Sequence, residues 1–88
     1  MNVTITSATT MEAAGEFLWG LLRTTDPSFN EAIAEAYTDD EGTPDYEQLA
    51  EDYRELGFVE ISADGATFVE SAWDAQQWAV ICEATECM

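Results

Sequence analysis

Hydrophobic positions along the chain switch between two periods. Residues 2–7, Asn-Val-Thr-Ile-Thr-Ser, are apolar at every second position and rich in β-branched types. That is the pattern of a strand with Val3 and Ile5 turned inward. The period then lengthens. Met11, Ala14, Phe17, Leu18, Leu21 and Leu22 share one face at helical spacing, and Thr9 with Glu12 forms a capping box that starts this helix near Thr10. Gly15 and Gly20 interrupt it, each at a cost of about 1 kcal/mol against alanine, which marks them as candidates for close packing. Trp19 falls beside the apolar stripe. It reads either as a boundary residue shielded by Arg23 at i+4 or as a contact surface for a partner.

Asp26-Pro27-Ser28 ends the first helix and opens a second, with Ser28 and Glu31 as another capping box and Pro27 in the first turn. Phe29, Ile33, Ala36 and Tyr37 form its expected buried stripe, while Glu31 and Glu35 face water. Asp39-Asp40-Glu41-Gly42 reads as an acidic turn. Thr43 is then expected to cap a third helix with Pro44 at its first position, and Tyr46, Leu49, Ala50, Tyr53 and Leu56 give that helix an apolar stripe. Gly57 is the expected stop, with Phe58 folding back onto the last turn.

Residues 58–70 read as a hairpin. Asp64-Gly65 is a type I′ turn signal, which sets Ile61 opposite Phe68 and puts Val59 and Ala63 on the same face. Ser71 and Asp74 form a cap signal for a last helix over 72–84, apolar on several sides through Trp73, Trp78, Val80, Ile81 and Cys82. Such a helix is either largely buried or faces a partner, including a second copy in a homodimer. A strand over 78–84 is the alternative. The resulting expectation is one α+β domain over 1–88, in the order β-α-α-α-β-β-α.

The run of helix, glycine, strand, Asp-Gly turn and strand over roughly 29–70 resembles the second half of a winged-helix domain. The resemblance is topological. A DNA-reading member would carry Lys and Arg on the helix and wing. Here the helix carries Asp45, Glu47, Glu51, Asp52 and Glu55 against one Arg54.

Charge changes the picture most. The chain of 88 residues has 19 Asp and Glu, two Arg, no Lys and no His, for a formal charge of −17. Direct binding to nucleic-acid phosphates needs a basic footprint and is excluded, as is an anionic membrane surface. The apolar fraction of 47% is that of a globular protein and not of an acidic disordered tail. Self-repulsion works against so small a core, so salt should stabilise the fold by screening. The N-terminus lacks the basic start and apolar middle of a signal peptide, and no run is long enough to span a membrane. A cytoplasmic location is expected, the host cytoplasm for a phage-encoded chain.

Little in the sequence offers catalysis. Without His there is no base for a serine or cysteine nucleophile, and no phosphate-cradling glycine loop occurs. Chance alone produces near pairs among so many carboxylates. No enzyme activity and no cofactor are expected. Cys82 and Cys87 are separated by about 7.5 Å along a straight helix, on different faces, and read as core or tail thiols, not a disulfide or zinc pair. Tyr37 to Gln48 can be laid over a calcium-binding EF-hand loop, with Gly42 at the invariant glycine and Asp39, Glu41 and Asp45 at ligand positions. Tyr37 at the first ligand position and Gln48 at the final bidentate position depart from it, and Pro44 stands where an apolar residue normally bridges. No metal is therefore expected.

Eleven of the 19 carboxylates fall within residues 31–60. The candidate partner-binding set is Glu31, Glu35, Asp39, Asp40, Glu41, Asp45, Glu47, Glu51, Asp52 and Glu55. Glu47, Glu51 and Glu55 form an i, i+4 ladder with steps of about 6 Å, each costing roughly 0.2–0.5 kcal/mol in like-charge repulsion. A few lysines would relieve that cost. Small size, extreme acidity and the absence of catalytic apparatus resemble the DNA-mimic inhibitors of phages and mobile elements, the anti-CRISPR and anti-restriction proteins. That resemblance is one of composition and implies a basic nucleic-acid-binding protein or complex as partner, with Trp19 or Trp73 as an apolar anchor. The competing expectation is a small non-catalytic interaction or structural domain of a halophile, since ten Thr, thirteen Ala and no Lys also suit molar salt.

Overall fold

A computed structural model describes residues 2–86. The elements are β1 (Val3–Ile5), α1 (Met11–Thr25), a π-helical turn (Phe29–Ile33) running into the short α2 (Ala34–Ala36), α3 (Tyr46–Glu55), β2 (Val59–Ser62), β3 (Gly65–Phe68), a 3-10 turn (Glu70–Ala72) and α4 (Ala75–Glu86). This is the expected α+β domain, in the order β-α-α-α-β-β-α. The sheet is antiparallel with strand order β1-β3-β2. Its central strand therefore joins the N-terminal segment to the hairpin, and Thr4 and Thr67 meet side by side through their hydroxyls at 2.9 Å.

The inner sheet face and three helices enclose one core. Ile5, Val59, Ala66 and Phe68 come from the sheet, Leu18, Leu21 and Leu22 from α1, Leu49 and Ala50 from α3, and Ile81 from α4. Phe29 and Trp73 complete it from the connecting turns. Among the described residues no side-chain polar atom is buried without a hydrogen-bond partner. The Trp73 indole N–H, for example, donates to the Phe58 carbonyl at 3.0 Å.

α1 and α3 make the most extensive helix–helix contact. Gly15 is the reason they can. A methyl group at this position would lie 1.8 Å from the backbone carbonyl oxygen of Tyr46. Trp19, one turn on, wedges edge-on against Phe29 and Tyr46 at ring-centroid distances of 5.0 and 5.8 Å. It is thus a half-buried packing residue that ties α1 to the π-helical turn and to the start of α3.

Several local expectations are corrected. The cap of α1 is Thr10, not Thr9: its hydroxyl accepts from the Ala13 N–H at 3.1 Å. Ser28 caps nothing: the π-helical turn has no side-chain cap, and the Ser28 N–H and hydroxyl both donate to the Asp26 carboxylate. The second helix opens as a π-helical turn, and Ala36 on its expected buried stripe is exposed. Asp45, not Thr43, caps α3, accepting from the Gln48 N–H at 3.1 Å. Pro44 lies outside that helix, in an isolated bridge with Thr38. The Gly57 stop is as expected, with Phe58 N–H bonded to the Tyr53 carbonyl.

The hairpin register differs by two residues. Val59 pairs with Phe68 and Ile61 with Ala66, so the turn is Ala63-Asp64 and not Asp64-Gly65. Neither turn residue has positive φ, which excludes a type I′ turn; the Ser62 hydroxyl holds the turn instead. Gly65, at φ 132°, serves the sheet: a methyl group there would lie 2.4 Å from the Ile5 carbonyl oxygen, where β1 crosses. A slip of two keeps every side chain on its face, so Val59, Ile61 and Phe68 still share one. Ala63 leaves that face and is exposed. The last helix starts at Ala75 because Asp74 and Gln77 cap it reciprocally, and residues 78–84 are helical, not a strand. Trp73 precedes that helix and belongs to the core. Cys82 is a half-buried free thiol, and Cys87 lies outside the described residues.

Gly15→Ala should therefore cost about 3 kcal/mol in urea unfolding, the upper end for overpacking. Gly20→Ala meets nothing within 4 Å and should gain up to about 1 kcal/mol from helix propensity. Equal effects at the two positions would contradict the close α1–α3 approach.

Candidate acidic interface

The ten candidate carboxylates lie along one continuous stretch of chain: the π-helical turn, α2, the loop 37–45 and α3. α3 turns Leu49 and Ala50 into the core, which leaves Glu47, Glu51 and Glu55 on the flank away from it. Eight of the ten residues are exposed, and Glu51 and Asp52 are half-buried.

The structure divides this set by role. Asp39 organises the loop: one carboxylate oxygen accepts from the Glu41 and Thr43 N–H groups, both at 2.9 Å. Asp45 is the α3 cap. Asp52 accepts from the Gln48 side-chain amide at 2.8 Å and from the Tyr37 hydroxyl, joining α3 to the end of α2. No such local role falls to the side chains of Glu31, Glu35, Asp40, Glu41, Glu47, Glu51 or Glu55 among the described residues. Those seven are charges with no local structural task.

The EF-hand-like loop is closed by its own backbone. Thr38 and Pro44 bridge, Asp39 N–H bonds to the Thr43 carbonyl, and Asp45 N–H bonds to that of Tyr37. Pro44 thus makes a bridge despite the substitution. Among the described residues no group of three acidic or sulfur side chains is suited to a metal ion. No helix there is long and apolar enough to cross a membrane.

Of the two expected anchors, Trp73 is only 7% exposed and stacks in an aromatic cluster with Tyr53, Phe58 and Phe68. It offers a partner nothing. Among the described residues the large apolar side chain that is exposed is Leu56, at 69%. Its spacing places it on the apolar stripe of α3, but it sits past the last turn of that helix, where the chain turns at Gly57. Leu56 lines a shallow cleft with Tyr37, Asp52 and Glu55. Tyr37, Gln48 and Leu56 adjoin the candidate carboxylates. The spacing of Gln48 and Asp52 at i, i+4 is the one signal of this in the sequence.

Tyr37 has its phenol pushed up to about 12, by loss of solvent first and then by its hydrogen bond to the Asp52 carboxylate and the proximity of that charge. Tyr53 is also raised, by burial first and then by the Asp26 charge. A phenol with raised pKa favours the fold while protonated. The contribution of Tyr37 is therefore complete below pH 10.0 and is lost as pH rises towards about 12. Tyr37→Phe should lose about 1 kcal/mol at neutral pH from the missing hydrogen bond. It should also lose stability less steeply with pH across that alkaline window, the remaining slope coming partly from Tyr53. Identical slopes for the two proteins in alkaline urea unfolding would contradict the raised Tyr37 phenol.

No known family model, no curated protein and no solved structure matches this chain.

Proposed function

We propose that this protein is an acidic inhibitor that occupies a positively charged nucleic-acid site on a host defence complex. The observation that carries the proposal is the group of seven carboxylates on the α2–α3 side that have no structural task, in a chain that has no lysine to offset them. The mechanism is electrostatic. The strip steers fast association with a Lys/Arg-lined groove, and arginine–carboxylate pairing then excludes the nucleic acid. Between the two kinds of defence target, an anti-CRISPR role is preferred to an anti-restriction one on the resemblance alone. The strip is sparser than duplex DNA, which carries one charge per about 1.7 Å of axis. The mimicry is of a groove-binding strip and not of a full duplex.

A second reading has its own observation. Ten Thr, thirteen Ala and no Lys are the composition of proteins bathed in molar salt, and the chain would then be a small non-catalytic interaction domain whose strip faces solvent.

The division of the carboxylates specifies the test. Glu31, Glu35, Glu47, Glu51 and Glu55 are changed together to Gln, leaving Asp39, Asp45 and Asp52 to hold the fold. Loss of the like-charge ladder should leave stability unchanged or raise it by a few tenths of a kcal/mol. Inhibition is read as blocked DNA cleavage by a panel of purified CRISPR effectors and restriction endonucleases. The native protein should block at least one of them in competition with DNA, and the variant should be at least about tenfold weaker, the effect of losing about 1.4 kcal/mol. Equal potency of the two proteins, or inhibition that excess DNA does not relieve, would remove the proposal.

A further inference from the structure

Leu56 is a large apolar side chain left exposed within the most acidic part of the surface. Nothing in the fold needs it there, since the residues before it already supply the α3 face of the core. Its surroundings are specific. Tyr37 forms one wall of the shallow cleft, and Asp52 and Glu55 complete the lining. Asp52 is held in place by the Tyr37 hydroxyl and the Gln48 amide, so its carboxylate is positioned before any partner arrives. Glu55 is exposed and has no local structural task.

A cleft with apolar walls and a carboxylate rim has a complement among side chains. A guanidinium is flat and weakly hydrated on its faces, so it settles on apolar and aromatic surfaces, while its edge donates two parallel hydrogen bonds to a carboxylate. An ammonium is compact and strongly hydrated and gains little from the walls. We propose that the cleft between Tyr37 and Leu56 is a docking site for an arginine side chain of a basic protein partner, with Glu55 and Asp52 taking the guanidinium edge and Tyr37 and Leu56 its faces. The inference rests on the proposed role of the acidic strip and deepens it: the strip supplies attraction to any basic surface, and this cleft discriminates arginine from lysine.

The test uses the full chain with an oligo-arginine peptide and an oligo-lysine peptide of equal length, titrated by NMR at low salt. The arginine peptide should bind about two to five times more tightly, the factor supplied by an exposed cation–π contact, and should shift the Leu56 methyl resonances. Leu56→Ser changes an exposed residue. It should reduce the preference for arginine, since one of the two walls is lost while the Tyr37 ring remains, and leave lysine binding unchanged. Glu47→Gln with Glu51→Gln should weaken both peptides alike. Equal binding of the two peptides to the native protein, or a preference of the same size in Leu56→Ser, would overturn the cleft while leaving the strip intact. Binding of neither peptide would overturn the strip and the cleft together.

Discussion

The contact on which the rest of this small fold depends is the approach of α1 to the first turn of α3 at Gly15. There is no room for a side chain between the Gly15 α-carbon and the Tyr46 carbonyl. Backbone touches backbone, and the two helices are brought close enough for Leu18, Leu49 and Ala50 to share a core. Trp19 then locks the adjoining turn by lying edge-on to Phe29 and Tyr46. With α3 held along its inner face, its outer flank is a fixed platform about 15 Å long.

That platform concentrates the charge. A domain with this much repulsion has to spend some carboxylates well, and three of them tie the acidic segment together: Asp39 in the loop, Asp45 at the cap and Asp52 against Tyr37. These bonds hold the acidic segment to α3, so the backbone that carries the remaining carboxylates is ordered. Charges on an ordered backbone lose only side-chain freedom when a partner pairs with them, whereas a flexible acidic tail would have its backbone to order as well. Rigidity is thus what separates this surface from a merely acidic composition.

Much of the architecture could be read from hydrophobic period alone, because α1, α3 and the hairpin each have a face that is either clearly apolar or clearly polar. Misread details cluster where two residues compete for one local task. Thr9 and Thr10 both suit a cap, as do Thr43 and Asp45. Asp64-Gly65 signals a turn by itself, yet Gly65 is needed where β1 passes, a long-range demand that no local pattern reveals. The acidic strip was visible as a charge count. Its division into structural and unengaged carboxylates was not, because that depends on Tyr37 reaching Asp52 across the loop between helices. Leu56 fits the α3 stripe by spacing, and only the exit of the chain at Gly57 leaves it outside.

On the proposed reading the seven unengaged carboxylates serve recognition, and the fold, held by its apolar core and by the bonds of Asp39, Asp45 and Asp52, does not depend on them. Thermal unfolding followed by circular dichroism from dilute buffer to molar salt tests it most directly. The protein should be cooperatively folded in dilute buffer, with a melting temperature that rises modestly and levels off as screening saturates at a few tenths molar. A chain that is unfolded below roughly 0.5 M salt, well beyond ordinary screening, would contradict it and assign the charge to a salty environment.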